Sequence, residues 1–398
     1  MHSIHQSLLR ISYASLVATA IISGSTLAAD IQQQSKTDTN SSGYVATETP
    51  RIQLAILLDT SNSMDGLIDQ TRNQLWQIVN QFSTARKNGV TPILEIALFE
   101  YGNDGLTRKS GFVRMLNDFT RELDQVSEGL FSLTTNGGSE FCGYAINTAI
   151  NNLQWSRSKS DIKSIFIAGN ESFAQGPIDF HEVAKLAVQQ GISINTIHAG
   201  GYEKGISDSW QTGALLASGS YMSINSDQKI VHIEAPQDKR IAELNAQLNT
   251  TYLPYGKDGA KSSQRQLEQD SQSSRISAGL LAKRAKSKSS SFYSNASWDL
   301  VDALREGKVD EKELSEIEEQ QLPDSMKGLS SAEKLEHIRK KEKERSEIKK
   351  EIEIQSELRA AFVAKVKRER VAASPTMSDA LTKAIKKQAE QKKYIFEK

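Results

Sequence analysis

In this 398-residue chain, the residues best suited to chemistry are Asp59-Thr60-Ser61-Asn62-Ser63: an aspartate with serine hydroxyls two and four positions later. A carboxylate and two hydroxyls make three hard oxygen donors, which suit Mg²⁺, Mn²⁺ or Ca²⁺. The setting gives the pattern its weight. The apolar run Leu54-Ala55-Ile56-Leu57-Leu58 reads as a strand buried on both faces. After it come Gly66 and a helical pattern of Leu67, Ile68, Leu75, Trp76, Ile78, Val79 and Phe82. The oxygens would leave a central strand at its carboxyl edge, where open α/β sheets bind their ligands. The competing account makes Asp59 and Ser61 only an Asx-turn and a helix N-cap.

Stepping out from that loop, strand and helix signals alternate from about Arg51 to Ala235 in the manner of a doubly wound sheet. Ile93 to Tyr101 reads as a strand, and Asn103-Asp104-Gly105 as a turn toward a short antiparallel edge strand near Phe112 to Leu116. Helices are expected at 120–130, 143–153 and 181–190. Further strands are expected at 165–167, 192–198 and 221–224. Two loops stand beside the first in this scheme, Thr134-Thr135-Asn136-Gly137-Gly138-Ser139-Glu140 and Gly169-Asn170-Glu171-Ser172. His198, at a strand end, reads as a core histidine, and Trp210 as packing.

The order D-x-S-x-S between a buried strand and an amphipathic helix resembles the metal-ion-dependent adhesion site of von Willebrand factor A (VWA) domains. The strand–helix order fits that domain along its length. The resemblance implies that Gly137-Gly138-Ser139 stands where the family has a threonine after paired glycines, so that Ser139 supplies a hydroxyl. It also implies an aspartate directly after the strand Ile165 to Ala168, where this chain has Gly169, Asn170 and Glu171. Either Glu171 reaches back, or Glu140 replaces the missing charge. The expected ligand set is therefore Asp59, Ser61, Ser63, Ser139 and Glu171, with Glu140 and Asn170 as further ligands or supports. The cofactor is a divalent cation, Mg²⁺ first and Mn²⁺ or Ca²⁺ as alternatives. In the family a partner's carboxylate fills the open coordination position, and low protein charge on the ion would favour such an acid. A group of secreted bacterial VWA proteins carries similar loops, but the resemblance brings no assigned biochemical role.

The ends of the chain read differently. Residues 1–29 resemble a secretory signal, with Arg10, an apolar run from Leu16 to about Ile22, and Leu27-Ala28-Ala29. That run is too short for the roughly 20 residues of a membrane span. Export, periplasmic or secreted, with no span after cleavage, is the expectation. Residues 30–50 read as a disordered polar leader. The only cysteine, Cys142, can form no intrachain disulfide and reads as buried.

Beyond the VWA domain at 51–255 lies a polar linker or docked helix at 256–297, with one helix favoured from about Gln264 to Lys286. A charged helical region fills 298–398. Trp298, Val301 and Leu304 share one face, and Asp310-x-x-Glu313 and Ser330-x-x-Glu333 read as capping boxes. Ser331 to Val371 runs without a breaker, a helix of about 60 Å, ended by Ser374-Pro375. Charged residues interrupt its heptads, which weakens a coiled coil. A last helix is expected from Ser378 to Gln391, with Leu381, Ala384 and Ile385 inward.

Acidic and basic side chains balance at 49 each, so no net field favours nucleic acid. No HExxH, nucleophile elbow or pair of carboxylates on strand ends appears, so the chain does not read as an enzyme. A metal-dependent protein-binding module is the first expectation. A structural envelope protein acting through its long helices is the alternative.

Overall fold

The computed structural model describes residues 49–225, 232–368 and 377–396. The expected signal at 1–29, most of the leader, and the helix stop at Ser374-Pro375 lie outside them. From Glu48 to Lys398 the chain forms one compact unit.

In chain order the elements begin with β1 (Arg51–Asp59), α1 (Asp65–Phe82), the two-residue β2 (Ala85–Arg86) and β3 (Ile93–Tyr101). Next are β4 (Val113–Thr120), α2 (Leu123–Ser132), α3 (Cys142–Asn152), β5 (Ile162–Gly169) and α4 (Phe180–Gln189). Then come β6 (Ser193–Ala199), α5 (Tyr202–Ser207), α6 (Trp210–Leu216), β7 (Tyr221–Ile224) and α7 (Asp238–Asn249). The rest is helical apart from one short strand: α8 (Gly259–Ile276), α9 (Ala278–Ser289), α10 (Leu300–Arg305), α11 (Glu311–Glu316), α12 (Ser331–Arg368), α13 (Met377–Gln391) and β8 (Ile395–Phe396).

The main sheet runs β4-β3-β1-β5-β6-β7, parallel except for the antiparallel edge strand β4. Strand order reverses at β1: the chain builds outward to β3 and β4 on one side, then to β5, β6 and β7 on the other. The loop leaving β1 therefore opens into the crevice where neighbouring loops diverge. Side chains alternate across β1 as its pleat requires. Ile52, Leu54, Ile56 and Leu58 join a core with α1, α2, α7, α9 and α13, while Ala55 and Leu57 join one with α3, α4 and α6.

Residues 256–297 form two helices where the sequence suggested one. At Ser277 the backbone is extended (φ −169°, ψ 153°), and the Ser277 hydroxyl accepts from the Leu280 amide at 3.0 Å, capping α9. The favoured span crossed this break because an apolar stripe alone does not reveal a cap. α9 lies against α1, and α12 against α7 and α9. A third core, with Leu300, Val301, Leu314, Leu335 and Ile338, joins α10 and α11 to α12. The Asp310–Glu313 capping box forms. So does its counterpart at the start of α12, where the Ser330 amide donates to Glu333 Oε2 at 2.8 Å. α12 is thus packed into the body through one face.

Candidate metal centre

Parallel register sets the floor of the site. Asp59 pairs with Tyr101, and Leu58 with Ala168, so Gly169 falls beside Asp59 at the next level. The first and second loops are then laced together. Asn136 N donates to Thr60 O at 2.9 Å, Asn62 N to Gly137 O at 3.1 Å, and Thr135 Oγ1 to Asp65 Oδ1 at 2.7 Å. Gly137 makes the turn with φ +78°; a side chain there would collide with Asp104. Ser139 follows, its backbone bridged to Gly102.

This lacing brings Glu140 against Asp59, with both side chains buried. A Cβ built on Gly102 would lie 2.7 Å from Asp59 Oδ1 and 2.9 Å from Glu140 Cγ, so the two acids flank the same bare glycine. Asp59 Oδ1 accepts from Ser61 N at 2.8 Å, while Oδ2 is buried with no hydrogen-bond partner among the described residues. Burial, and after it the charge of Glu140, push the Asp59 carboxyl well above the usual carboxylate range. Burial raises Glu140 as well, and the charge of Glu171 adds to it; a side-chain hydrogen bond with Asp59, and after it the Ser61 hydroxyl, works the other way, as the Ser61 hydroxyl does on Asp59. Two adjoining acids are thus held near each other in a place that disfavours their charge.

The hydroxyls gather close by. Ser61 Oγ lies 3.3 Å from Ser63 Oγ, which also accepts from Asn170 Nδ2 at 3.0 Å. The Asx-type bond from Asp59 is present, but no side chain caps α1 or the 3-10 turn Asn62–Met64 before it. Ser139 is half-buried, and its hydroxyl makes no hydrogen bond among the described residues. Glu171 is exposed; its carbonyl accepts from Trp210 Nε1 at 2.7 Å, while Trp210 itself is buried. His198 is also buried, its Nε2 3.3 Å from Asn170 O, and burial lowers its pKa.

Two expectations change. Glu140 lies against Asp59, so two carboxyls adjoin where none was expected as a pair, and the pair forms through the lacing of two loops that spacing alone does not show. Ser139, expected to lead that loop's contribution, is followed at once by the buried acid. Two residues the sequence did not single out also shape the place, Tyr101 and Gly102. Tyr101 is buried and its hydroxyl donates to Ala168 O at 3.0 Å, with Cys142 Sγ 3.6 Å away. Burial, then Cys142, Asp59 and Glu140, hold its phenol well above the ordinary value, and so protonated. Tyr101 and Gly102 close the strand beside β1, which was the available sequence signal.

Do these residues fit a divalent cation? The stranded, buried Asp59 Oδ2, a second acid beside it and the Ser61 and Ser63 hydroxyls 3.3 Å from each other are donors of the kind a hard cation takes. No cluster of three or more His, Cys, Asp or Glu suited to a metal occurs among the described residues, so serine oxygens have to contribute.

A parallel sheet wrapped by helices, with this loop at its switch point, defines a class of fold, and the family comparison agrees. Residues 53–213 match the von Willebrand factor type A domain, and over that span the chain carries a VWA domain. No curated protein matches. Among solved structures, the chain is similar to proximal thread matrix protein 1 from the mussel byssus, with a zinc-occupied MIDAS motif. Identity there is 12%, over 45% of this chain and 43% of that one, at a TM-score of 0.36; the match spans less than half of the mussel protein. It is also similar to BatB from Bacteroides thetaiotaomicron, with 15% identity over 44% and 90% of the two chains and a TM-score of 0.33. The SpRpn10 VWA domain matches at 17% identity, over 46% and 100%, with a TM-score of 0.33. No helix among the described residues is long and apolar enough to cross a membrane.

Proposed function

We propose that this chain is an exported, metal-dependent protein-binding module. In this reading a divalent cation sits on Asp59, Ser61, Ser63 and Ser139, and a carboxylate of a protein partner completes its coordination. Mg²⁺ is the first choice of ion and Mn²⁺ or Ca²⁺ the alternatives; Asn170 steadies Ser63. When bound, the cation would supply Lewis-acid attraction for the partner's acid, and the chain's own residues would hold it.

The observation that carries this reading is Asp59 Oδ2, which is buried, unpartnered among the described residues and next to a second acid. Burial and the neighbouring acid disfavour the charged form of Asp59, and a bound cation would supply the counter-charge that favours it. Glu171, exposed beside the site, is better placed to meet a partner than to complete the ion's inner set. The alternative, a scaffold acting through separate helices, draws less support because α12 buries Ile338, Arg345 and Ile352 against the body.

The test is thermal unfolding of the whole purified chain with and without Mg²⁺, Mn²⁺ and Ca²⁺. An ion that binds only the folded form raises the midpoint with concentration. Asp59→Ala is expected to abolish the rise, and with it cation-dependent capture of an acidic partner. An equal midpoint with and without every ion would remove the reading.

A further inference from the structure

We propose that Glu140 supplies the second negative charge of the cation site, entering past Gly102, because Tyr101 has closed the place beside Gly169 from which the third loop would otherwise reach the ion. This rests on the cation reading given above.

The argument begins with two glycines on either side of Asp59. At Gly169 a Cβ would collide with the Tyr101 hydroxyl and lie 3.0 Å from Asp59 Oδ2. Tyr101 cannot easily give way. It is fully buried, its hydroxyl bonds Ala168 O, and its neighbour Cys142 is buried too. No side chain of any kind fits at residue 169 while Tyr101 stays. The next residues do not replace the charge. Asn170 is neutral, its Nδ2 engaged with Ser63 and its Oδ1 buried without a hydrogen-bond partner among the described residues. Glu171 is exposed, its carbonyl tied to Trp210 and its charge felt at Glu140 rather than neutralised there.

Gly102 does the opposite. Its φ of +82° and missing Cβ leave open the space between Asp59 Oδ1 and Glu140 Cγ. The bridge between Gly102 and Ser139 fixes the loop so that the following residue turns inward, and Glu140 is buried as a result. A tyrosine fills one side of the aspartate and an absent side chain admits an acid on the other. With Asp59 and Glu140 both ionised, a divalent ion is neutralised by protein alone. Without Glu140 it would keep one unit of charge and bind less tightly.

The experiment titrates Mn²⁺ alone into the purified whole chain, following the paramagnetic ion directly, and checks each variant's fold by circular dichroism. Glu140→Gln is expected to weaken Mn²⁺ by about tenfold or more, on the scale seen when a supporting metal-site group is lost. Glu171→Gln should stay within about twofold of the parent on the same scale. Glu140→Asp keeps the charge, shortens the reach and should fall between, which covers the case in which Glu140→Gln fails to fold. In the Glu140→Gln background, Tyr101→Phe with Gly169→Asp should recover part of the affinity, since the carboxylate then has a vacant place. Parent-like Mn²⁺ binding in both Glu140 variants, with Asp59→Asn abolishing it, would overturn the assignment and leave the cation reading standing. Parent-like binding in Asp59→Asn would remove both.

Discussion

The guanidinium of Arg345 meets the carboxylate of Asp299 as a two-pronged fork, Nη1 to Oδ2 at 2.6 Å and Nη2 to Oδ1 at 3.1 Å, with both side chains buried. Arg345 lies midway along α12, in a stretch that reads as solvated charge. Here it reaches into the body instead. It also donates to Thr251 O at 2.6 Å and to Asp302 Oδ1 at 3.1 Å, and its guanidinium lies 4.0 Å from the ring centre of Tyr252. One side chain thus joins the end of α7, the start of α10 and the long helix.

Removing that side chain takes the ion-pair partner from buried Asp299, while Asp302 keeps Arg305 Nη2 at 2.9 Å. Breaking a buried pair from one side costs on the order of 3–5 kcal/mol, because the remaining charge has no compensation. Arg345→Ala is expected to lower unfolding free energy by about that amount, read as an earlier urea midpoint with an unchanged slope. A loss below about 0.5 kcal/mol would place the fork with ordinary surface pairs.

A second buried network makes stability depend on acid. Burial alone would raise the pKa of Asp270, but Lys288 and Arg284 outweigh it and hold the carboxyl far below its ordinary value. Arg284 Nε donates to Asp270 Oδ1 at 2.6 Å, and Lys288 Nζ to Oδ2 at 3.0 Å. The folded pKa lies below the unfolded one, so the contribution is fully present above the unfolded value, about 4. It fades as pH falls through that value toward the folded one. Asp270→Asn should therefore be less stable than the parent at pH 7, and the gap should narrow below about pH 4. Thermal melts of both proteins across pH 2 to 7 would show it, and a gap that stays constant would exclude Asp270 as the source.

The centre of the sheet was legible because β1, β3, β5 and β6 bury both faces. β3 and β7 fall where apolar runs place them, and the antiparallel edge follows from the Asn103-Asp104-Gly105 turn. The first loop was legible for the same reason: a buried strand ending on an acid is a local pattern. The Asp59–Glu140 pairing was not, since it depends on the lacing of Thr60 and Asn62 to Asn136 and Gly137. Buried cations were hidden more deeply still. Arg284 meets Asp124 across 160 residues, Lys288 follows the half-buried Lys283 and Lys286, and Arg345 sits among lysines and glutamates, several of which face water. A charged stretch does not disclose which of its members is turned inward.

Gly102 is expected to be intolerant of even one added carbon. Its φ of +82° strains any other residue, and a Cβ would press on Asp59 Oδ1 at 2.7 Å and Glu140 Cγ at 2.9 Å. Gly102→Ala should cost about 1–3 kcal/mol of stability from strain alone and weaken Mn²⁺ as well. Gly256, where φ is +75° but nothing lies within 4 Å of a built Cβ, is the control. Gly256→Ala should be destabilised by backbone strain yet bind Mn²⁺ as the parent does. Equal Mn²⁺ binding in the two variants would mean that the space beside Asp59 does not matter to the site.

The VWA domain should not survive alone. The face of α1 turned from the sheet is covered by α9, with Asn80 Nδ2 donating to Lys283 O at 2.9 Å and Ser287 Oγ to Asn80 Oδ1 at 2.9 Å. The Arg284 guanidinium lies 4.6 Å from the Trp76 ring centre, and both are buried. α13 covers more of α1, burying Ala384, Ile385 and Ala389, and β8 pairs with β2. Cutting the chain after Gly256 removes all of this and exposes Trp76 with its apolar neighbours. Each large side chain uncovered forfeits about 1.5–3 kcal/mol, and a few such losses equal the whole stability of an ordinary domain. Residues 49–256 should therefore bind an apolar dye and melt without a cooperative transition, whether or not a cation is present. A sharp transition within a few degrees of the full chain would show that the helices are an addition to the domain instead of a part of its core.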